Sequence, residues 1–132
     1  MLELRWNKLP TITKNVIQVF RGNNKTIVQT IYQGDGETVY DLTGYTVTLY
    51  IKRTVLDDND DAIITLTGTL TEPVNGVVQF YLLPAHTNSD AAIANLKDNV
   101  HYPYEVEVIT DDVPAHYYTA MRSTFIIITQ TR

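Results

Sequence analysis

The stretch Asp41-Leu42-Thr43-Gly44-Tyr45-Thr46-Val47-Thr48-Leu49-Tyr50-Ile51-Lys52 decides the fold class. It opens on a turn and continues as eight residues of strict alternation. Tyr45, Val47, Leu49 and Ile51 share one face; Thr46, Thr48, Tyr50 and Lys52 share the other. Successive side chains of a strand point to opposite faces, and the residues are β-branched and aromatic. A helical period of 3.6 would scatter them around the axis. The segment therefore reads as a half-buried central strand of an antiparallel sheet.

The same pattern recurs on both sides. Val16–Phe20 and Lys25–Tyr32 read as strands, joined by the turn residues Arg21-Gly22-Asn23-Asn24. Gln33-Gly34-Asp35-Gly36-Glu37 is a hairpin-type loop, because glycine supplies the positive φ that tight turns need. Downstream, Ala62–Thr71 alternates, Glu72–Gly76 turns, and Val78, Phe80 and Leu82 face one way. Pro84–Asn99 breaks the alternation and accommodates one short helix, capped by Asn88 or Ser89 and crossing an end of the sheet pair. Val100–Thr110 is a long strand. Ala115–Met121 and Ser123–Thr129 close the chain as one bent strand or as two. The expected fold is all-β: an immunoglobulin-like antiparallel β-sandwich of about seven or eight strands with one short helix. Residues 14–132 form that sandwich, and residues 1–13, which have no clear period, form an N-terminal arm.

Composition narrows the function classes. The 132 residues include no cysteine, which removes disulfides and thiolate metal sites. No signal-peptide run opens the chain, and no stretch approaches the ~20 apolar residues of a membrane span, so a soluble protein without a membrane partner is expected. The net charge of −5 argues against nucleic acid. Charge is unevenly placed: residues 1–33 carry five basic side chains against one acidic, and residues 34–132 carry five against fourteen. A basic leading segment on an acidic body suits head-to-tail contact between copies, docking on an acidic neighbour, or neutralisation within one fold.

Catalytic chemistry has few starting materials. Ser89 and Ser123 are the only serines and neither sits in a G-x-S-x-G elbow. His86, His101 and His116 fall at turns or strand starts. Glu105 and Glu107 lie two apart on one strand face, ~6–7 Å apart, a range that overlaps the spacing of glycosidase carboxylates, yet the same spacing marks any solvent-facing strand. The run Asp57-Asp58-Asn59-Asp60-Asp61 lacks the glycine and the twelfth-position glutamate of a calcium loop, position twelve being Gly68. It reads as an extended, hydrated loop. No catalytic residue, metal or other cofactor is expected.

Binding residues are more visible. Trp6, the single tryptophan, stands between Arg5 and Lys8 and is a candidate anchor in a partner's pocket; the alternative is an edge strand that folds back with Trp6 in its own core, which Pro10 disfavours. The last strand, Phe125-Ile126-Ile127-Ile128, is apolar on both faces, so it is either covered within the sandwich or set in a subunit interface. Coverage within an oligomer is the expectation, with Phe125 and Ile127 as partner contacts. Among nine tyrosines, Tyr50, opposite Val47 and Leu49, is the candidate for stacking on a sugar ring.

Arg21-Gly22-Asn23-Asn24-Lys25-Thr26, Tyr32-Gln33-Gly34-Asp35-Gly36, and Asp41-Leu42-Thr43-Gly44-Tyr45-Thr46-Val47, with the later Asn75-Gly76-Val77-Val78 and Tyr102-Pro103-Tyr104-Glu105-Val106, together resemble the immunoglobulin-like N-terminal domain of phage baseplate upper proteins. The resemblance spans about residues 16–130, and its most specific part is the Leu42-Thr43-Gly44 turn, where Leu42 can plug the sandwich end while Gly44 relieves the turn. The chain departs from the family in having Asn99-Val100-His101 where many relatives have a glycine before the Tyr-x-Tyr strand, and in ending at Arg132. The resemblance implies a non-enzymatic bacteriophage virion structural protein, a tail or baseplate adaptor or a capsid decoration. It would be made in the host cytoplasm, reside in the virion, and assemble with copies of itself and other virion proteins. The alternative is a carbohydrate-binding module contacting host or environmental glycans.

Overall fold

The computed structural model describes residues 16–128. Trp6, Arg5, Lys8 and the arm they belong to lie outside the described residues. Among the described residues the eight strands are β1 (Ile17–Phe20), β2 (Lys25–Thr30), β3 (Thr46–Ile51), β4 (Ile64–Thr67), β5 (Thr69–Glu72), β6 (Val77–Leu82), β7 (His101–Ile109) and β8 (Tyr117–Ile128). They form a five-stranded sheet, β1-β8-β7-β3-β4, and a three-stranded sheet, β2-β6-β5. The chain is an all-β sandwich. Pairing is antiparallel except between β1 and β8, which run parallel.

The alternation read from β3 fixes the core. Val47, Leu49 and Ile51 are fully buried and lie beside Val108, Val106 and Tyr104 of β7, respectively. Phe80, Val78 and Leu82 fill the space from the opposite sheet. Each such side chain contributes about 1.5–3 kcal/mol through the apolar area it removes from water.

Where the sequence suggested one strand over Ala62–Thr71, the chain instead changes sheets at Gly68. β4 pairs with β3, whereas β5 pairs with β6. Gly68 N–H donates to Val47 O at 2.7 Å, and a Cβ there would lie 3.0 Å from the Phe80 ring. Alternation survives such a corner unchanged, so periodicity does not reveal it.

The break after β6 holds two helices and not one, α1 (Pro84–Asn88) and α2 (Asp90–Asn95). Ser89 is the cap of α2, its Oγ accepting from Ala92 N at 3.2 Å. Arg21, in the β1–β2 turn, binds this region to the sandwich. Its guanidinium donates to the carbonyls of Thr87 and Leu96 and to Asp98 at 2.8 Å. Gly22 N–H donates to the buried Thr87 Oγ1 at 2.8 Å.

The Asp41–Gly44 turn behaves as its sequence suggests. Asp41 Oδ1 accepts from Thr43 N–H at 2.9 Å and from its hydroxyl at 2.6 Å. Leu42 is fully buried, with its N–H on Pro73 O at 2.8 Å. Gly44 has φ +80°, and a Cβ would come within 2.7 Å of Asp111 Oδ2. Asn99 resolves the departure before β7: its φ is +61°, the left-handed region that asparagine enters more readily than other residues with a Cβ.

Candidate functional site

The outer face of the five-stranded sheet carries two unlike surfaces, and cross-strand register places them. Residues paired across a sheet share a face. One rung runs Thr65–Tyr50–Glu105–Arg122, and the next runs Thr67–Thr48–Glu107–Thr119. Towards β1, His101, Ile126 and Gln18 form a third rung, and Ile128 pairs with Phe20.

The polar half is built on Lys52. This lysine and Glu105 are 6% and 7% exposed, and Lys52 Nζ donates to Glu105 Oε1 in a close ion pair. Lys52 Nζ also donates to the carbonyl of Asp57 at 2.9 Å. Arg122 Nε takes the other Glu105 oxygen at 3.2 Å. Asn59 Nδ2 donates to Glu107 Oε2 at 3.1 Å. The Asp57–Asp61 run is therefore not an extended loop. Asn59–Asp61 forms a 3-10 turn, and the segment is pinned over the sheet by Lys52 and Asn59. Among the described residues no group of three or more His, Asp or Glu side chains is placed to hold a metal ion.

Glu105 and Glu107 do share a face, as their spacing requires, but each is engaged by protein partners. Burial, and then the charge of Glu105, raise the Glu107 carboxyl above its ordinary range; the Tyr50 hydroxyl, Lys52 and Asn59 oppose them. A raised carboxylate pKa in the folded state makes Glu107 stabilising below its unfolded pKa. That contribution is lost as pH rises through the folded value. Glu107→Gln is expected to raise the urea midpoint at pH 7 and to leave it unchanged well below the carboxylate range. An equal shift at both pH values would refute this assignment.

Tyr50 is half-buried. Burial and the neighbouring Glu107 raise its pKa, and its hydroxyl interacts with Thr48 and Glu107. It is thus a member of the polar cluster. The histidines are dispersed: His86 Nδ1 accepts Leu83 N–H at 2.8 Å, His116 meets Asp112 at 3.2 Å, and His101 lies at the start of β7.

The second surface corrects the reading of the last strand. Phe125 and Ile127 are 0% exposed and lie in the core, paired with the inward-facing Ile17 and Val19 of β1. They cannot touch a partner of the folded chain. Strand parity, which sequence alone left open, sends Ile126 and Ile128 outward instead. These two, both half-buried, lie beside Phe20, which is 40% exposed, and Val16 is exposed just before β1. A shallow cleft of about 190 Å³ between Phe20, Ile128, Asn24 and Lys25 adjoins them. Among the described residues, β1 pairs on one side with β8 and ends its sheet.

In comparison with known proteins, no family model matches the chain, and no curated protein is significantly similar to it.

Proposed function

We propose that this protein is a non-enzymatic structural component of a bacteriophage virion, a tail or baseplate adaptor or a capsid decoration that assembles with copies of itself and with neighbouring virion proteins. The observation that carries the assembly half is the apolar corner of Phe20, Ile126, Ile128 and Val16 beside the terminal strand β1. Terminal strands present unpaired backbone groups that invite another chain, and an apolar face beside them supplies the dry centre that a stable interface needs. The virion half rests on the resemblance carried by Arg21–Thr26, Tyr32–Gly36 and Asp41–Val47. Arg21–Gly22 and Asp41–Gly44 have structural tasks in the sandwich, which suits a protein whose business is to hold shape. Tyr50, engaged by Glu107, gives the carbohydrate-binding alternative no separate support.

Sedimentation velocity tests the reading. The wild-type chain is expected to form a discrete oligomer, and a Phe20→Glu/Ile128→Glu double variant is expected to sediment as a folded monomer. Deleting residues 1–13 asks whether Trp6, Arg5 and Lys8 contribute to the same contact. A wild-type chain that stays monomeric at the highest attainable concentration, and that is missing from purified particles, would refute the proposal.

A further inference from the structure

The buried ion cluster on the outer sheet face borders a groove of about 420 Å³, lined by Lys52, Val55, His101, Pro103, Arg122 and Thr124, among others. Glu105 is the groove's acid, and both its oxygens are occupied, Oε1 by Lys52 and Oε2 by Arg122 Nε. Lys52 already balances the Glu105 charge at close range. The Arg122 side chain is 68% exposed, and its two terminal nitrogens have no hydrogen-bond partner among the described residues. The guanidinium is thus held at Nε by a carboxylate that is itself clamped, while its outer edge remains available. That edge presents two parallel N–H donors, the geometry that matches a carboxylate.

The surroundings narrow the ligand. Val55, two-thirds exposed, and Pro103 offer apolar surface within the same groove. Arg122 also lines a neighbouring depression with Asp57, Asp58 and Asp60, and those charges disfavour any ligand with more than one negative charge nearby. From this arrangement we infer that the groove binds a monocarboxylate with a short apolar stem, its carboxylate on Arg122 and its stem against Val55 and Pro103. A free organic acid and the C-terminal residue of an extended peptide share that chemistry. The inference is independent of how the chain assembles.

The test is an NMR titration of the full-length protein, following the Arg122 Nε–H and the amides of His101 and Thr124. The probes are hexanoate, N-acetyl-leucine and the uncharged N-acetyl-leucine amide. Both acids are expected to give saturable shifts at these positions, and the amide to bind about tenfold more weakly or not at all, the loss of one charge-assisted pair. Tighter binding of hexanoate would indicate a free acid, and tighter binding of N-acetyl-leucine a chain terminus. Arg122→Gln, which leaves Glu105 paired with Lys52, and, separately, Val55→Asp should weaken both acids while leaving the rest of the spectrum in place. Equal binding of acid and amide, unchanged binding in Arg122→Gln, or stronger binding of inorganic phosphate than of either acid would overturn the inference.

Discussion

Replacing Lys52 with methionine will destabilise the protein by about 3–5 kcal/mol, as expected when one partner of a buried ion pair is removed. The methionine fills most of the volume, so the loss is electrostatic in origin. Glu105, 7% exposed, would keep only the Arg122 contact, made by a side chain that stands largely in water. The carbonyl of Asp57 would lose its donor as well, freeing the segment that lies over the sheet. Two alternatives can be separated by a cycle. If the pair behaved like an exposed one, the loss would be about 0–1 kcal/mol. If the volume of Lys52 mattered more than its charge, Lys52→Met/Glu105→Leu would be as unstable as the single variant. The expectation is that the double variant regains most of the lost stability, because it leaves no uncompensated buried charge. Urea unfolding of the wild type and three variants at pH 7 gives the answer, and a double variant no more stable than Lys52→Met would sink the account.

Lys52 also shows where sequence reading stops. Just past β3, it continues that strand's polar face by parity, and a polar face normally means water. Parity was right and burial was not, because the cover comes from residues 53–61, which carry no periodic signal. Their five consecutive polar or acidic side chains, Asp57–Asp61, read as a hydrated loop, yet Asn59 and the Asp57 carbonyl bind the sheet. A backbone carbonyl leaves no trace in composition. Gly68 is a similar case: its alternating neighbours hide a change of sheet. Strand positions, the Leu42 plug and the Gly44 turn were legible because each depends on local geometry. The partners of Glu105 and Glu107 were not, since they lie as far apart in sequence as Lys52 and Arg122. The left-handed Asn99 lies between these cases. Its residue type is suited to that conformation, but only the structure says which turn residue adopts it.

Phe125→Ala will cost about 3–5 kcal/mol and Ile127→Ala about 2–5 kcal/mol, the range for emptying a packed interior. Both residues are 0% exposed and sit between β1 and β7 in the larger sheet, facing the three-stranded layer. The neighbouring substitutions should behave differently. Ile126 and Ile128 lie on the opposite face and are only half-buried, so alanine there removes less buried surface from the single chain. Their effect should fall on the proposed self-association instead, weakening it at a concentration where the fold is intact. The four alanine variants therefore sort by parity: odd positions move the unfolding midpoint, and even positions move the sedimentation coefficient. Thermal unfolding and sedimentation velocity on the same four preparations read both quantities. Should Phe125→Ala abolish the proposed self-association while its unfolding midpoint stays where it was, this strand would present the other face to a partner. The inward packing of Phe125 and Ile127 would then be wrong, and the parallel register of β1 against β8 with it.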